Sequence, residues 1–259
     1  MKIAVFVKQV PDSAAKVTVD GGKVSWGDAP LVINPWDEYA VEAALQIAEK
    51  HGGEVAAVSL GGESARDALK HALAMGAGSA TLINDPALSA ADAAANAHVF
   101  AAAVQKLGAI DLAIFGKQAI DTDTGLSAAM TARVLGWPAL TLVAKVAQLD
   151  PSAKKIKVER NIEEGRQIIE SSLPAVLSII KDFGEPRYPS FMGIRKASKA
   201  EILTWTIADL GISAPESKIA WTEIIAPLKR EVTSEIISGA NPDEIAAKLA
   251  DKIIAEGVL

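Results

Sequence analysis

Cysteine is absent from the chain, so it has no disulfide framework, no thiolate metal site and no cysteine nucleophile. An excess of positive charge is also absent. Lys and Arg together number 26 against 32 Asp and Glu, and a net charge of -6 provides no overall basic field for nucleic acid or anionic membrane. No apolar run reaches the length needed to span a bilayer. Met1 to Val7 reads directly as a strand, with no basic or Arg/Ser-rich presequence before it, and this predicts a cytoplasmic protein without direct membrane insertion. Aromatic residues are scarce at 5%. The three histidines, His51, His71 and His98, fall on predicted helices or their ends, in no metal-ligand spacing. There is no Walker loop, no G-x-G-x-x-G fingerprint and no serine nucleophile elbow. Glu163-Glu164 is a carboxylate pair, but in a predicted hairpin turn, where it reads as a solvated tip.

What remains is an ordinary globular mix, half hydrophobic and 22% charged, in 259 residues, enough for one large domain with a buried core. Short apolar runs alternate with helical periodicity over the first two-thirds. Strands are predicted at Lys2 to Val7, Val55 to Leu60, Ala80 to Ile83 and Asp111 to Gly116. Helices are predicted at Pro35 to Lys50, Ser64 to Met75, Ala90 to Leu107 and Thr124 to Leu135. Asn34 is placed to cap the first helix, with Pro35 in its first turn. This order predicts an α/β fold, an open and mostly parallel Rossmann-like sheet with helices on both faces. After Trp137-Pro138 four strand-like runs follow: Thr141 to Leu149, Lys155 to Arg160, Gln167 to Ser171 and Ala175 to Ile180. Turn formers at Asp150-Pro151-Ser152 and Glu163-Glu164-Gly165 separate them, which predicts an antiparallel hairpin added to the sheet. From Glu185 onward prolines interrupt the chain. Residues 213–241 read as an extended arm, and Pro242 to Glu256 as a last helix. The expected division is a nucleotide-binding domain over 1–212 and an arm with its helix over 213–259.

Three segments are placed at the carboxyl edge of the predicted sheet, where open α/β sheets bind ligands. Gly116-Lys117-Gln118-Ala119-Ile120-Asp121-Thr122-Asp123-Thr124-Gly125 runs from a strand end into a helix start. Backbone N–H groups and the positive end of the helix dipole there suit a phosphate. Asp121 and Asp123 would repel one if they faced it, so they read as caps or turn formers that leave the Thr122, Thr124 and Ser127 hydroxyls free. From spacing alone an ordinary capped helix is the better reading. The others are Asn34-Pro35-Trp36-Asp37-Glu38, which is equally an N-cap with first-turn proline, and Val7-Lys8-Gln9-Val10-Pro11-Asp12-Ser13. Glu185 to Ile194, flanked by Arg195, Lys196 and Lys199, puts Phe191, Met192 and Ile194 on what should be a surface loop. A docking surface and packing beneath the protein's own helices explain it equally well.

In order, these stretches resemble the β subunit of electron-transfer flavoproteins over nearly the whole chain. Gly116 to Asp121 is similar to that family's nucleotide loop. Val158-Glu159-Arg160, Glu163-Glu164-Gly165, Gln167-Ile168-Ile169 and Leu173-Pro174-Ala175-Val176-Leu177 follow its signature, with Ser178 standing where the family prefers Thr, Ala or Cys. Leu73 to Ala77 is a further family-like run. Glu185-Pro186-Arg187-Tyr188 and the basic segment after it, about 185–199, are similar to the loop that holds partner dehydrogenases. The resemblance implies a heterodimer with an α subunit that holds most of the redox FAD, passing electrons from flavin dehydrogenases to an acceptor oxidoreductase without catalysis of its own. It implies AMP as a structural nucleotide in this chain, surrounded by Val7, Lys8, Gln9, Asn34, Pro35, Trp36, Asp37, Leu60, Asp121, Thr122, Asp123, Thr124, Gly125, Leu126, Ser127, Met130 and Thr131. The docking anchor, usually leucine, falls on Phe191, with Met192 and Ile194 beside it. Electron-bifurcating members carry a second FAD in the AMP position, oxidise NADH, and typically read Asp-Gly-Asp-Thr-Ala-Gln-Val-Gly in the loop. Here Asp121 to Ala128 keep Asp-Thr but lack the Gln-Val-Gly, and the Asn-Gln-Thr-Gly usual with AMP is missing too. Lys8 to Ser13 and the C-terminal arm are closer to the bifurcating type. A stand-alone nucleotide-binding sensor on the same fold is the third alternative, although a sensor has no need of the antiparallel addition or the arm.

Overall fold

The computed structural model describes residues 1–89, 91–228 and 234–257. Ala90, where the sequence placed a helix start, and residues 229–233 of the expected arm lie outside them. In chain order the strands and helices are β1 (Lys2–Phe6), β2 (Gln9–Pro11), β3 (Thr18–Asp20), β4 (Lys23–Ser25), β5 (Leu31–Ile33), α1 (Pro35–His51), β6 (Glu54–Leu60), α2 (Arg66–Met75), β7 (Ser79–Ile83), α3 (Ala93–Leu107), β8 (Leu112–Gly116) and α4 (Ser127–Leu135). There follow β9 (Ala139–Asp150), β10 (Lys155–Ile162), β11 (Gly165–Ser172), β12 (Ala175–Ile179), α5 (Phe191–Ala197), β13 (Leu203–Trp205), α6 (Ile207–Leu210) and α7 (Pro242–Ala255). Two compact units result, Met1–Ile224 and Ile225–Leu259.

The first unit holds a nine-stranded sheet in the order β11-β10-β9-β12-β8-β1-β6-β7-β13. Neighbours from β9 through β13 run parallel, while β10 pairs antiparallel with both β9 and β11. This is the open, mostly parallel α/β sheet with an antiparallel addition that the sequence predicts. Two small antiparallel ribbons, β2 with β5 and β3 with β4, lie apart from it.

The period of two along β1 distributes its side chains between two layers. Ile3 and Val5 join the core with α1 and α2 residues such as Ala40, Val41 and Leu69. Ala4 and Phe6 face the other way, against Val99 and Ala103 of α3 and Ala128 and Ala132 of α4. Small alanines on those helices let them approach the sheet closely, which suits a chain with few aromatics.

From β1 the connections proceed outward to β6 and β7 on one side and to β8 and β12 on the other. The sequence order therefore reverses between β1 and β8, and a crevice opens beyond the carboxyl ends of those two strands.

Three local expectations are corrected. The helix expected from Thr124 begins at Ser127, because Asp123 (φ 52°) and Gly125 (φ 62°) adopt left-handed backbone that interrupts helical geometry. The helix expected from Ala90 begins at Ala93, where the Asp92 carboxylate accepts the N–H of Ala95. Part of the loop expected over Glu185 to Ile194 is helical, since Ser190 caps α5 by accepting the N–H of Gly193 at 2.9 Å.

A nucleotide-sized cavity at the sheet's switch point

The crevice between β1 and β8 contains a cavity of about 460 Å³. Its lining includes Val7 and Lys8 after β1, Leu60 at the end of β6, and the stretch from Gly116 to Ala119 after β8. Thr122, Thr124, Gly125, Leu126 and Ser127, ahead of and at the start of α4, complete that side. Phe6 and Phe115 form an aromatic floor, stacked with centroids 4.4 Å apart, and Phe100 meets them edge-on at 5.0 and 5.7 Å.

The side chains behind this lining fix its shape. Asn34 is fully buried and occupies the N-cap position of α1, but its side chain makes no capping bond. Instead its amide donates to the Gln118 carbonyl at 2.8 Å and its oxygen accepts the Ile120 N–H at 3.2 Å. The residue read as a helix cap thus ties α1 to the loop after β8. Asp37, in the first turn of α1, accepts the Lys8 N–H at 2.8 Å and is also hydrogen-bonded to the Gly116 backbone. Burial outweighs these bonds and raises its carboxyl from 3.8 to about 7. Gly116 is required by this contact. A Cβ there would meet the Trp36 backbone at 2.6 and 2.7 Å and press on the Asp37 carboxylate.

Lys8 turns its ammonium onto both oxygens of Asp121, at 2.7 and 2.6 Å. Asp123 accepts from the Gln118 amide. Neither aspartate lines the cavity, and neither caps α4, whose N-cap is Leu126 without a side-chain cap bond. They stabilise the turn in which Thr122 and Asp123 donate N–H groups to the Ala119 carbonyl. The uncapped start of α4, with Thr122, Thr124 and Ser127 around it, is left toward the cavity.

Of the residues singled out from sequence, Val7, Lys8, Asp37, Leu60, Thr122, Thr124, Gly125, Leu126 and Ser127 line the cavity together. Gln9 is in β2, paired with Ile33, and Asn34, Pro35 and Asp121 stand behind the wall as supports. Trp36 lies under the Lys117 ammonium, 5.2 Å from its ring centre. Met130 and the buried Thr131 belong to α4 but not to the lining. Sequence reasoning missed Phe6, Phe100 and Phe115, along with Asp92 at the start of α3, Asn96 on it, and Ile219 and Trp221 beyond the last sheet strand. Asp92 falls inside the helix expected from Ala90, so the sequence did not mark it as a cap, and nothing in the sequence aims the following turn of that helix at the cavity.

The proposed docking residues lie on α5, well outside this cavity. Gly193 lets α5 lie directly against the carbonyl of Ala74 in α2, and Ala197 is buried. Phe191, Met192 and Ile194 point outward, 81%, 68% and 53% exposed, beside Tyr188 at 94%. They are not packed under the protein's own helices. Among the described residues there is no cluster of three metal-ligating side chains, and no helix is long and apolar enough to cross a membrane.

Residues 27–210 match the family model described as Electron transfer flavoprotein domain. The chain is 36% identical to the Electron transfer flavoprotein subunit beta of Thermoanaerobacterium thermosaccharolyticum over 271 aligned positions, covering 100% of both chains. It is 35% identical to the Caffeyl-CoA reductase-Etf complex subunit CarD of Acetobacterium woodii, covering 98% of each. It is also 37% identical to Protein FixA of Azorhizobium caulinodans, covering 82% of this chain and 77% of that one.

Proposed function

This chain belongs to the electron transfer flavoprotein family as a β-type subunit, and from that premise we propose that it binds one AMP as a structural nucleotide within an electron-carrying heterodimer. The observation that supports this most is the composition of the cavity at the switch point. The uncapped start of α4 and the Thr122 and Thr124 hydroxyls suit a phosphate. The aromatic floor of Phe6 and Phe115 suits a flat ring. The Lys8 ammonium pairs with Asp121, which keeps that carboxylate engaged behind the loop.

In this reading the redox FAD is held mainly by an α subunit, and flavin dehydrogenases reduce it before an acceptor oxidoreductase withdraws the electrons. The β chain supplies the scaffold, the structural nucleotide and the docking helix α5, and none of its residues transfers a proton. Residues 1–212 carry the docking site and most of the nucleotide site, Ile219 and Trp221 add to the cavity lining, and the rest of 213–259 serves the α subunit. Phe191, Met192 and Ile194 form the docking surface. A partner burying such side chains gains about 1.5–3 kcal/mol for each fully covered one, and Arg195 and Lys196 at the same helix add a polar rim.

A second reading, with a second FAD in the AMP position and NADH as donor, is favoured by Lys8 to Ser13 and by the likeness to a reductase-complex subunit along 98% of the chain. Releasing the nucleotides of the co-expressed heterodimer by denaturation and quantifying them by chromatography tests both. One FAD and one AMP per dimer is the expected result. Two FAD and no AMP would replace the first reading with the second, and a dimer with one FAD and no other nucleotide would contradict both.

A further inference from the structure

We propose that the outer edge of β11 is a self-association surface, where a second copy of this chain adds its own β11 antiparallel about a two-fold axis at Ile168. The strand ends the nine-stranded sheet, and its register with β10 runs unbroken over eight residue pairs. Ile162 faces Gly165 across a two-residue turn, and at the far end the Leu173 N–H donates to the Lys154 carbonyl at 2.9 Å. In an antiparallel ladder the hydrogen-bonding residues alternate, so the odd-numbered residues from Gly165 to Leu173 turn their backbone groups toward β10. Arg166, Ile168, Glu170 and Ser172 turn theirs outward. Sheet edges are commonly closed by proline, by bulges or by a covering element. This one carries no proline and no register shift, and Ile168 stands 67% exposed in its middle.

The side chains of the edge select what fits it. Antiparallel pairing with Ile168 opposite Ile168 sets Arg166 of each copy opposite Glu170 of the other, all three residues being exposed. The outward backbone groups from Arg166 to Glu170 then find partners, because the residues brought opposite each other are the ones that point outward. Opposite charges directly across strands favour a pair, and like charges oppose it. An axis moved two residues, to Arg166 or to Glu170, sets identical charges face to face, so the charges select the Ile168 register. The ends of the ribbon agree with it. Ser172 comes opposite Glu164 of the other copy, which brings the acidic Glu163-Glu164 turn near Lys155, the β10 neighbour of Ser172. Glu170 keeps Lys157 on its inner side, at 2.5 Å, and gains an arginine on the outer one. A two-fold contact of this kind is closed and ends at a pair. It is independent of what the cavity holds.

The test uses the chain in its heterodimer, followed by sedimentation equilibrium over a range of concentrations. Wild type is expected to pass from single heterodimers to a dimer of heterodimers with a Kd of about 10 μM, weak as a small interface is. Arg166→Glu or Glu170→Arg alone creates two like-charge pairs per contact and is expected to weaken it at least about tenfold. The double exchange restores opposite charges and is expected to return association to within a few-fold of wild type. These side chains are exposed, so thermal melts of the variants should match wild type. The chain has no cysteine of its own, so Ile168→Cys treated with a short bis-maleimide is expected to give a cross-linked pair of this chain. Wild type that remains a single heterodimer at about 100 μM overturns the proposal. So do single variants that associate as wild type does, or a double exchange that fails to restore association. A cross-link from position 168 to the α subunit also overturns it, because that subunit then occupies the edge.

Discussion

Asp37 is a buried residue whose carboxyl is held by the backbone N–H groups that begin two of the cavity's loops. Its native carboxyl stands near 7 against 3.8 for an ordinary aspartate. Between those values the folded chain retains a proton that the unfolded chain has released. Stability is therefore fully present below about pH 4 and falls as the pH rises toward 7, by up to about 1.4 kcal/mol per unit. Denaturant melts at pH 5 and pH 7.5 should find wild type losing about 2 kcal/mol more over that interval than Asp37→Asn. Equal losses would place the titrating group elsewhere. Gly116 is the adjoining constraint. Gly116→Ala forces a methyl group against the Trp36 backbone, and overpacking of this kind costs about 1–3 kcal/mol. The variant is expected to melt earlier and to lose AMP content relative to FAD when both are quantified after denaturation.

At the scale of elements, one arginine ties the loop before the short helix α5 to α1. Arg187 bonds the Glu42 carboxylate through Nε at 2.8 Å and Nη2 at 3.1 Å, and meets Glu49 through Nη1 at 2.6 Å. The Glu42 side chain is only 5% exposed. Arg187→Ala would leave that carboxylate buried without its cation, which costs about 2–3 kcal/mol, and would release the loop that leads into α5. Urea denaturation would measure the first effect, and faster amide hydrogen exchange across residues 185–199 the second. Phe191→Ala should lower the rate of electron transfer from a dehydrogenase about tenfold, the loss typical of a central interface anchor. FAD content should be unchanged. Unaltered kinetics would move the anchor to Met192 or Ile194.

The strands and long helices of the sheet were legible because period and composition report burial directly. After Lys2 and Asp111, Ile3 to Val7 and Leu112 to Gly116 are continuous apolar runs, as strands covered on both faces must be. Asn34 was legible as a helix-start residue but not as a brace, since its partners at Gln118 and Ile120 depend on how two distant loops meet. The start of α4 was misjudged by three residues because the left-handed backbone at Asp123, a non-glycine residue, has no strong sequence signal. Ile219 and Trp221 were hidden for a similar reason. Their segment carries no periodicity, and its place beside the cavity depends on long-range bonds such as those from the Lys218 and Ile219 N–H groups to the Asp92 carboxylate.

At the scale of the whole molecule, the first compact unit carries two separate surfaces. The cavity lies at the carboxyl ends of β1 and β8, and the apolar helix α5 rests on α2. That separation suits a subunit whose nucleotide supports structure while its docking face meets partners, because contact at α5 need not disturb the nucleotide. In the proposed function such a subunit relays electrons and does not itself oxidise a substrate. Rapid mixing of the heterodimer with either a flavin dehydrogenase and its substrate or NADH alone tests it most directly. The expected result is reduction of the bound flavin by the dehydrogenase, at a rate that saturates with its concentration, and an oxidised flavin in NADH alone. Rapid flavin reduction by NADH with no dehydrogenase present would contradict it.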